Sequence, residues 1–353
     1  MFDRKLRVAI IGAGTVARDN QLPAYAKCQD AEVAAVCDMD YARASALAKQ
    51  FDIPRVYTDM QELLADKEVD AVSVCTGNST HESIVTACAR AGKHILCEKP
   101  MAVSAEQAQR MQDEVEKAGV IFMMGFVNRY RQESRIIREF VDQGKLGDIY
   151  HARCGWIRRR GTPRGWFTDV KKSGGGPVID IGVHVIDLTW YMMGKPRPIS
   201  VSGVVHHRIG NYHTKCVSSW VAGEQSDMPV TTEDSATALI RFENQVSMSV
   251  DVSWAINGRE RDMFSEIYGS RGGASLDPFA FYGEENGYLV DTVPRLYTAG
   301  GWQPAFEEEI RHFVDCVKNN REPISSVKDG VMVQKMLGAI YESSAQQKEI
   351  AIV

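Results

Sequence analysis

Apolar positions along the chain follow two different rhythms. Arg7-Val8-Ala9-Ile10-Ile11 is a short apolar run of strand length that stops at glycines, and Thr15 to Lys27 after it reads as a helix. The alternation then repeats. Strands are predicted at Glu32 to Cys37, Val69 to Cys75, His94 to Cys97 and Ile121 to Gly125. Helices lie between them at Tyr41 to Phe51, at Glu82 to Ala91 closed by Gly92, and at Ser104 to Ala118 closed by Gly119. Ser104 with Gln107 has the spacing of a capping box. Such alternation predicts an α/β domain with a parallel sheet covered by helices on both faces.

After Gly125 the rhythm changes. A helix (Gln132 to Gln143), a strand (Asp148 to Ile157), an Arg/Gly/Pro loop and a glycine run lead to a helix over Pro177 to Met193. From Val201 onward strands dominate. Ala236, Ala238, Ile240 and Phe242 alternate with more polar positions, as do Val246, Met248, Val250, Val252 and Trp254 beyond a turn at Asn244-Gln245. That is an antiparallel hairpin with one buried face. Met263 to Tyr268 and Gly272 to Leu276 extend the strand series, and helices at Glu307 to Val317 and Val327 to Ser344 end the chain. Two domains are expected, 1–125 and 126–353, the second of α+β type.

Length and composition agree with this. At 353 residues, 44% hydrophobic and 25% charged, the chain can bury two cores and reads as globular. It lacks the run of about 20 apolar residues that a membrane helix needs. It also shows no signal-peptide pattern, so a cytoplasmic location is expected. A net charge of −5 gives no general attraction to nucleic acid or anionic membrane. The 8 cysteines, Cys216 among them, form no Cys-x-x-Cys pair and no zinc spacing. Arg158-Arg159-Arg160 is too short a basic run to change that picture and reads as a solvated loop.

Gly12-Ala13-Gly14-Thr15-Val16-Ala17 fits G-x-G-x-x-A between a strand and a helix. The first glycine makes the turn, the second admits the pyrophosphate against the backbone, and the small last position lets helix and strand pack closely. Gly12, Gly14, Thr15 and Val16 are therefore candidates to bind a dinucleotide at a helix start, whose partial positive charge favours the diphosphate. Asp38 ends the second strand, where a carboxylate accepts from both ribose hydroxyls and repels a 2′-phosphate. That favours NAD over NADP, with Arg43 nearby as the residue type that would also admit NADP.

Glu98-Lys99-Pro100 follows one strand and Thr76-x-Asn78-x-x-His81 the strand before it. Gly174-Gly175-Gly176-Pro177-Val178-Ile179-Asp180-Ile181-Gly182-Val183-His184 comes later, and Asn128-Arg129-Tyr130 follows the last strand of the first domain. With these motifs in this order the chain resembles the Gfo/Idh/MocA oxidoreductases over nearly its whole length. Gly77 departs from the proline many members carry there. The resemblance implies a Rossmann domain joined to an α+β domain whose large, mostly antiparallel sheet forms a homodimer or homotetramer interface. It implies hydride transfer at a secondary alcohol or ketone of a sugar, sugar derivative or cyclitol. It places Lys99 and His184 as acid/base residues and Asp180 as the orienter of the histidine or substrate. Thr76, Asn78, His81, Glu98, Lys99 and Asn128 fall around the cofactor, and Arg129 on the substrate side.

The residues support these roles on their own chemistry. Removing hydride from a carbinol carbon requires a base within reach of its hydroxyl. Lys99 lies just past the carboxyl end of a parallel strand, where open α/β sheets bind ligands. Burial beside a nicotinamide cation would lower its pKa. Asp180 and His184 are four apart on a predicted helix, hence on one face, with Asp187 one turn on. Helix capping and a core histidine are the ordinary reading of such a pair, but the glycine run before it permits close backbone approach. In the loop, Arg164 is a candidate for a carboxylate, phosphate or sugar hydroxyl, and Trp166 for a sugar face. Trp220 and Trp254 suit core or interface positions. His206, His207 and His213 have no partner pattern, and no metal is expected. Two other functions share these motifs, a redox glycosidase with catalytic NAD and a dinucleotide-sensing regulator.

Overall fold

The computed structural model describes residues 4–214, 229–297 and 301–352; Cys216 and Trp220 lie outside them. Two compact units form. One comprises Met1–Tyr130 with Gly301–Val331, the other Arg131–Gly300 with Met332–Val353.

The first unit is built on six parallel strands: β1 (Leu6–Ile11), β2 (Ala31–Cys37), β3 (Arg55–Tyr57), β4 (Ala71–Val74), β5 (His94–Glu98) and β6 (Phe122–Gly125). Their order is β3-β2-β1-β4-β5-β6. The order reverses between β1 and β4, and ligands of open α/β sheets bind outside the strand ends at that point. Leu6, Val8 and Ile10 of β1 and Leu96 of β5 are fully buried, as expected of strands covered on both faces. Helix ends follow local chemistry. Asp40 caps the helix Tyr41–Gln50 by accepting from the Arg43 amide at 3.1 Å, and Gly119 closes Ala105–Ala118 at φ 66°. Ser104 caps that helix through the Gln107 amide, but the Gln107 side chain accepts from Val103, one residue before the cap, so the box is displaced.

Three expectations change here. The short strand β3 and the helix Met60–Ala65 occupy a stretch too brief to show a period. The boundary at 125 is also too early, since Val127–Tyr130 belongs to the first unit. Finally, residues 301–331 belong to the first unit, not the second. The helix Trp302–Asn319 buries Ala305, Phe306, Ile310, Phe313, Val314 and Val317 in the same core as Leu6, Val8 and Ile10. Apolar periodicity shows that a helix has a buried face, not which core receives it.

Among the described residues the second unit contains nine strands: β7 (Ile149–Ile157), β8 (Pro198–His206), β9 (Ser235–Phe242), β10 (Ser247–Ser253), β11 (Arg261–Gly269), β12 (Gly273–Leu276), β13 (Phe279–Glu285), β14 (Tyr288–Thr292) and β15 (Ile350–Ala351). The order is β14-β13-β12-β11-β7-β10-β9-β8-β15. All neighbours are antiparallel except the central pair β7 and β10. The expected hairpin is β9–β10, turning through Asn244 and Gln245 at φ 57° and 62°. Its buried face carries Ala236, Ala238, Ile240, Phe242, Met248, Val250 and Val252.

Candidate active site

The first cluster gathers at the ends of β1, β2, β4 and β5. Gly12 leaves β1 at φ +96°, and a Cβ there would sit 2.8 Å from the Cys75 carbonyl and from Thr76 Cγ2. No other residue type fits both the conformation and the space. Beyond it Gly14, Thr15 and Val16 keep exposed surface at the helix start. Asp38 turns back onto the same loop: Oδ2 accepts from the Ala13 amide at 2.8 Å and Oδ1 from the Asp40 amide at 2.9 Å. Arg43 Nη1 lies 3.8 Å from Asp38 Oδ2. An open glycine turn with a carboxylate held at the neighbouring strand end fits a dinucleotide with a free ribose diol.

The helix after the glycine turn does not begin as a plain α-helix. Residues 17–21 form a π turn before the α-helix Leu22–Lys27. Gln21, the last residue of that turn, is fully buried and donates from Nε2 to Glu98 Oε1 at 2.7 Å. Burial pushes the Glu98 carboxyl up, and the Gln21 bond and the Lys99 charge oppose that. Lys99 follows directly. Across β4, Thr76 and Thr80 pair their hydroxyls at 2.8 Å, and Asn78 is buried.

His81 and Arg129 are both fully buried. The His81 ring has no exposed surface. Nδ1 meets the Pro100 carbonyl at 2.8 Å and Nε2 the Thr76 carbonyl at 3.2 Å. Burial lowers its pKa although carbonyls face both ring nitrogens, which favours the neutral ring. It ties the loop after β4 to the segment after β5. Arg129 is likewise fully buried. It bonds Asp329 at 2.6 Å and lies 5.2 Å over the Phe126 ring, which makes it an internal tie for the chain around Asp329. Asn128 is buried on the same single turn, Val127–Tyr130.

The second cluster surrounds the start of the helix carrying Asp180 and His184. Here too a π turn, Val178–Gly182, precedes the α-helix Val183–Met192, so the spacing of four does not lie on a regular α-helix as expected. Asp180 is buried and accepts from the Trp254 indole N–H at 3.1 Å. The His184 ring lies 6.3 Å from Trp156, and Arg158 lies 4.7 Å over that indole. Burial lowers the Arg158 pKa, while Asp180 and Asp262 counter this.

The basic run is therefore not simply solvated. Arg158 joins the cluster, and Arg160 bonds the Ile256 carbonyl and Asn257 Oδ1 at 3.1 and 2.7 Å. Trp254 is a core residue as expected, and it also holds Asp180. Arg164 and Trp166 are half-buried in the loop, with Trp166 stacked on Phe167 at 4.0 Å.

Glu233 escaped the sequence reading altogether. Its buried carboxylate accepts from the amides of Gly176 at 2.8 Å and Val178 at 3.1 Å and from the Tyr341 hydroxyl at 2.8 Å. The glycines before the helix have their reason here. A Cβ on Gly175 would overlap the Tyr341 hydroxyl, and one on Gly176 would lie 2.9 Å from Glu233 Cδ. A glutamate between two loops carries no local signal of such a contact. Among the described residues no group of three or more His, Cys, Asp or Glu side chains could hold a metal ion.

Comparison with known proteins agrees with this geometry. Residues 6–126 match the model of an oxidoreductase family with an NAD-binding Rossmann fold, and residues 134–275 match the Gfo/Idh/MocA C-terminal domain. The chain is 33% identical over 353 residues to D-glucoside 3-dehydrogenase of Escherichia coli (strain K12), covering 98% of this chain and 97% of that one. It is 28% identical over 359 residues to myo-inositol 2-dehydrogenase of Thermotoga maritima, covering 97% of each. Among solved structures, an oxidoreductase domain protein from Kribbella flavida superposes with a TM-score of 0.88 at 25% identity, covering 99% of both chains.

Proposed function

Because the chain belongs to the Gfo/Idh/MocA family of oxidoreductases, with an NAD-binding first domain, we propose that it interconverts a secondary alcohol and a ketone on a sugar, sugar derivative or cyclitol, using NAD. The observation that carries this reading is the full-length similarity to a glucoside dehydrogenase. An inositol dehydrogenase matches over the same length, which widens the substrate class to cyclitols.

Gly12, Gly14, Thr15 and Val16 would hold the diphosphate and Asp38 the adenosine ribose. When bound, the nicotinamide takes up or returns the hydride. Lys99 and His184 serve as acid/base groups that carry the hydroxyl proton away or return it, and Asp180 orients the chemistry around His184. Trp254 holds Asp180 through its indole N–H. Arg158, Arg164 and Trp166 supply donors and an aromatic face suited to hydroxyl-bearing rings. The chain's own carboxylate at Asp38 favours NAD, and a homodimer or homotetramer through the second-domain sheet is the assembly we infer.

The test is a screen for NADH formation over glucosides, aldoses, inositols and sugar acids, run on the wild type and on Lys99→Ala. At least one polyol should yield NADH, and Lys99→Ala should lower its turnover about 100-fold or more while NADH still binds. Full turnover in that variant would sink the assignment of Lys99. NADH binding with no turnover across the panel would favour a sensing role. The named relatives are dehydrogenases, so neither that role nor a redox glycosidase is carried further.

A further inference from the structure

The π turn 17–21 has a consequence for Glu98. A π turn carries one more residue than an α-turn, so it shifts every following side chain around the helix axis. In this chain the shift ends at Gln21, which points inward, fully buried, with its amide N–H on the Glu98 carboxylate at 2.7 Å. Gly125 packs close to that carboxylate, since a Cβ there would lie 3.3 Å from Glu98 Cδ. Both residues are buried, Glu98 keeping 7% of its surface and Gln21 none, so Glu98 is the nearer of the two to solvent. Gln21 Oε1 is buried with no hydrogen-bond partner. An amide kept at that cost is explained by what its other end does.

We propose that Gln21 is the positioning residue for Glu98, holding its carboxylate at the end of β5 in place for the cofactor. The proposal rests on the reading that Glu98 serves the cofactor. The ionisable groups around Glu98 are Lys99 beside it, Cys75 on β4 and Cys97 on β5, with Glu309 on the helix Trp302–Asn319 acting on Cys75. Burial, and after it the Glu98 charge, pushes both thiols well up, so neither carries charge near neutral pH. Lys99 is therefore the cation beside the carboxylate and Gln21 the neutral donor on it.

A donor on a carboxylate stabilises its charged form. Removing it must raise the pH at which Glu98 takes up a proton.

The experiment measures the NADH dissociation constant from about pH 5 to about pH 9 for the wild type, Gln21→Met, Gln21→Glu, Glu98→Gln and the double variant Gln21→Met/Glu98→Gln. Methionine keeps the length of glutamine and cannot donate. In Gln21→Met the acid limb of binding should move up by about one to two pH units, the worth of a hydrogen bond to a charged group. Gln21→Glu sets a second carboxylate against Glu98 and should move it further. It also keeps the test alive if the methionine variant does not fold. Glu98→Gln should abolish the limb, and adding Gln21→Met to it should change nothing more. A purely structural glutamine would lower stability and leave the limb in place. If Glu98→Gln retains the limb, the reading of Glu98 at the cofactor fails. If Glu98→Gln abolishes it and neither Gln21 variant moves it, Glu98 stands and the positioning role of Gln21 is overturned.

Discussion

The helix after Gly12-Ala13-Gly14 and the helix after Gly174-Gly175-Gly176 start alike, each at glycines pressed against a neighbouring segment and each through a π turn, 17–21 in one and 178–182 in the other. They differ in what meets the helix end. Gly14, Thr15 and Val16 at the first start keep exposed surface, so its partial positive charge is available to an anion from outside. The second start is already filled, because Glu233 takes the Gly176 and Val178 amides. A similar device thus leaves an open helix start in one place and, in the other, a start whose amides are already taken up ahead of Asp180 and His184.

The largest effect should come from emptying the filled start. Glu233→Ala leaves two buried amides and the Tyr341 hydroxyl without their acceptor. At about 1–3 kcal/mol for each buried group left unpaired, we expect a loss of about 3 kcal/mol or more in urea unfolding. Turnover should also fall more than NADH affinity. A change within about 0.5 kcal/mol would mean that the carboxylate is not what holds this helix, and the comparison would break.

Paired glycine substitutions sharpen the same contrast. Gly12→Ala forces a Cβ into the Cys75 carbonyl at a positive φ and should weaken NADH binding about tenfold or more, the equivalent of about 1.4 kcal/mol. Gly175→Ala displaces Tyr341. It should lower stability and turnover and leave NADH affinity unaltered. Equal losses of NADH affinity in both variants, measured by fluorescence titration, would erase the distinction between the two starts.

A pH effect belongs to the first region. Burial lowers the His81 pKa, so below its unfolded value of about 6.5 the unfolded chain binds a proton that the folded ring refuses. Stability from this group is complete above that pH and declines as pH falls toward the folded pKa, by at most about 1.4 kcal/mol per pH unit. His94 and His151 are lowered in the same sense, so the contribution is read as a difference. His81→Gln should flatten the decline in melting temperature between about pH 6.5 and pH 5. An identical decline in the variant would show that the ring titrates freely.

How much of this was legible in the sequence follows from how local each signal is. The glycine turn, Asp38 and the alternating strands could be read because a turn, a strand end and a period of two or 3.6 are written in consecutive residues. The π turns were not legible, since nothing in the residues Ala17 to Gln21 or Val178 to Gly182 sets them apart from an ordinary helical turn. Gln21 and Glu233 act on residues 77 and 55–57 positions away, and nothing near either one announces the partner. His81 and Arg129 mark the converse case. Their motifs were recognised, but the internal bonds that each makes, His81 to Pro100 and Thr76 and Arg129 to Asp329, carry no local signal. The helix Trp302–Asn319 had a legible buried face, yet only the fold assigns that face to the first core.

The smallest effect tests whether the cofactor region depends on all of its glycines or on one. Gly77 opens the loop after β4 at φ −72° and ψ 149°, an extended conformation open to any residue, and a Cβ there meets nothing within 4 Å. Gly12, by contrast, has both a positive φ and a blocked Cβ. The glycine at 77 therefore adds entropy to the unfolded chain and gives the folded loop nothing in return. Gly77→Ala should raise stability by about 0.4–1 kcal/mol. Gly77→Pro should match or exceed it, because the observed φ is already that of proline. NADH affinity should stay as in the wild type in both. Calorimetric melts decide this: if both variants melt below the wild type, the loop needs its freedom at Gly77, and the first region would rest on two glycines rather than one.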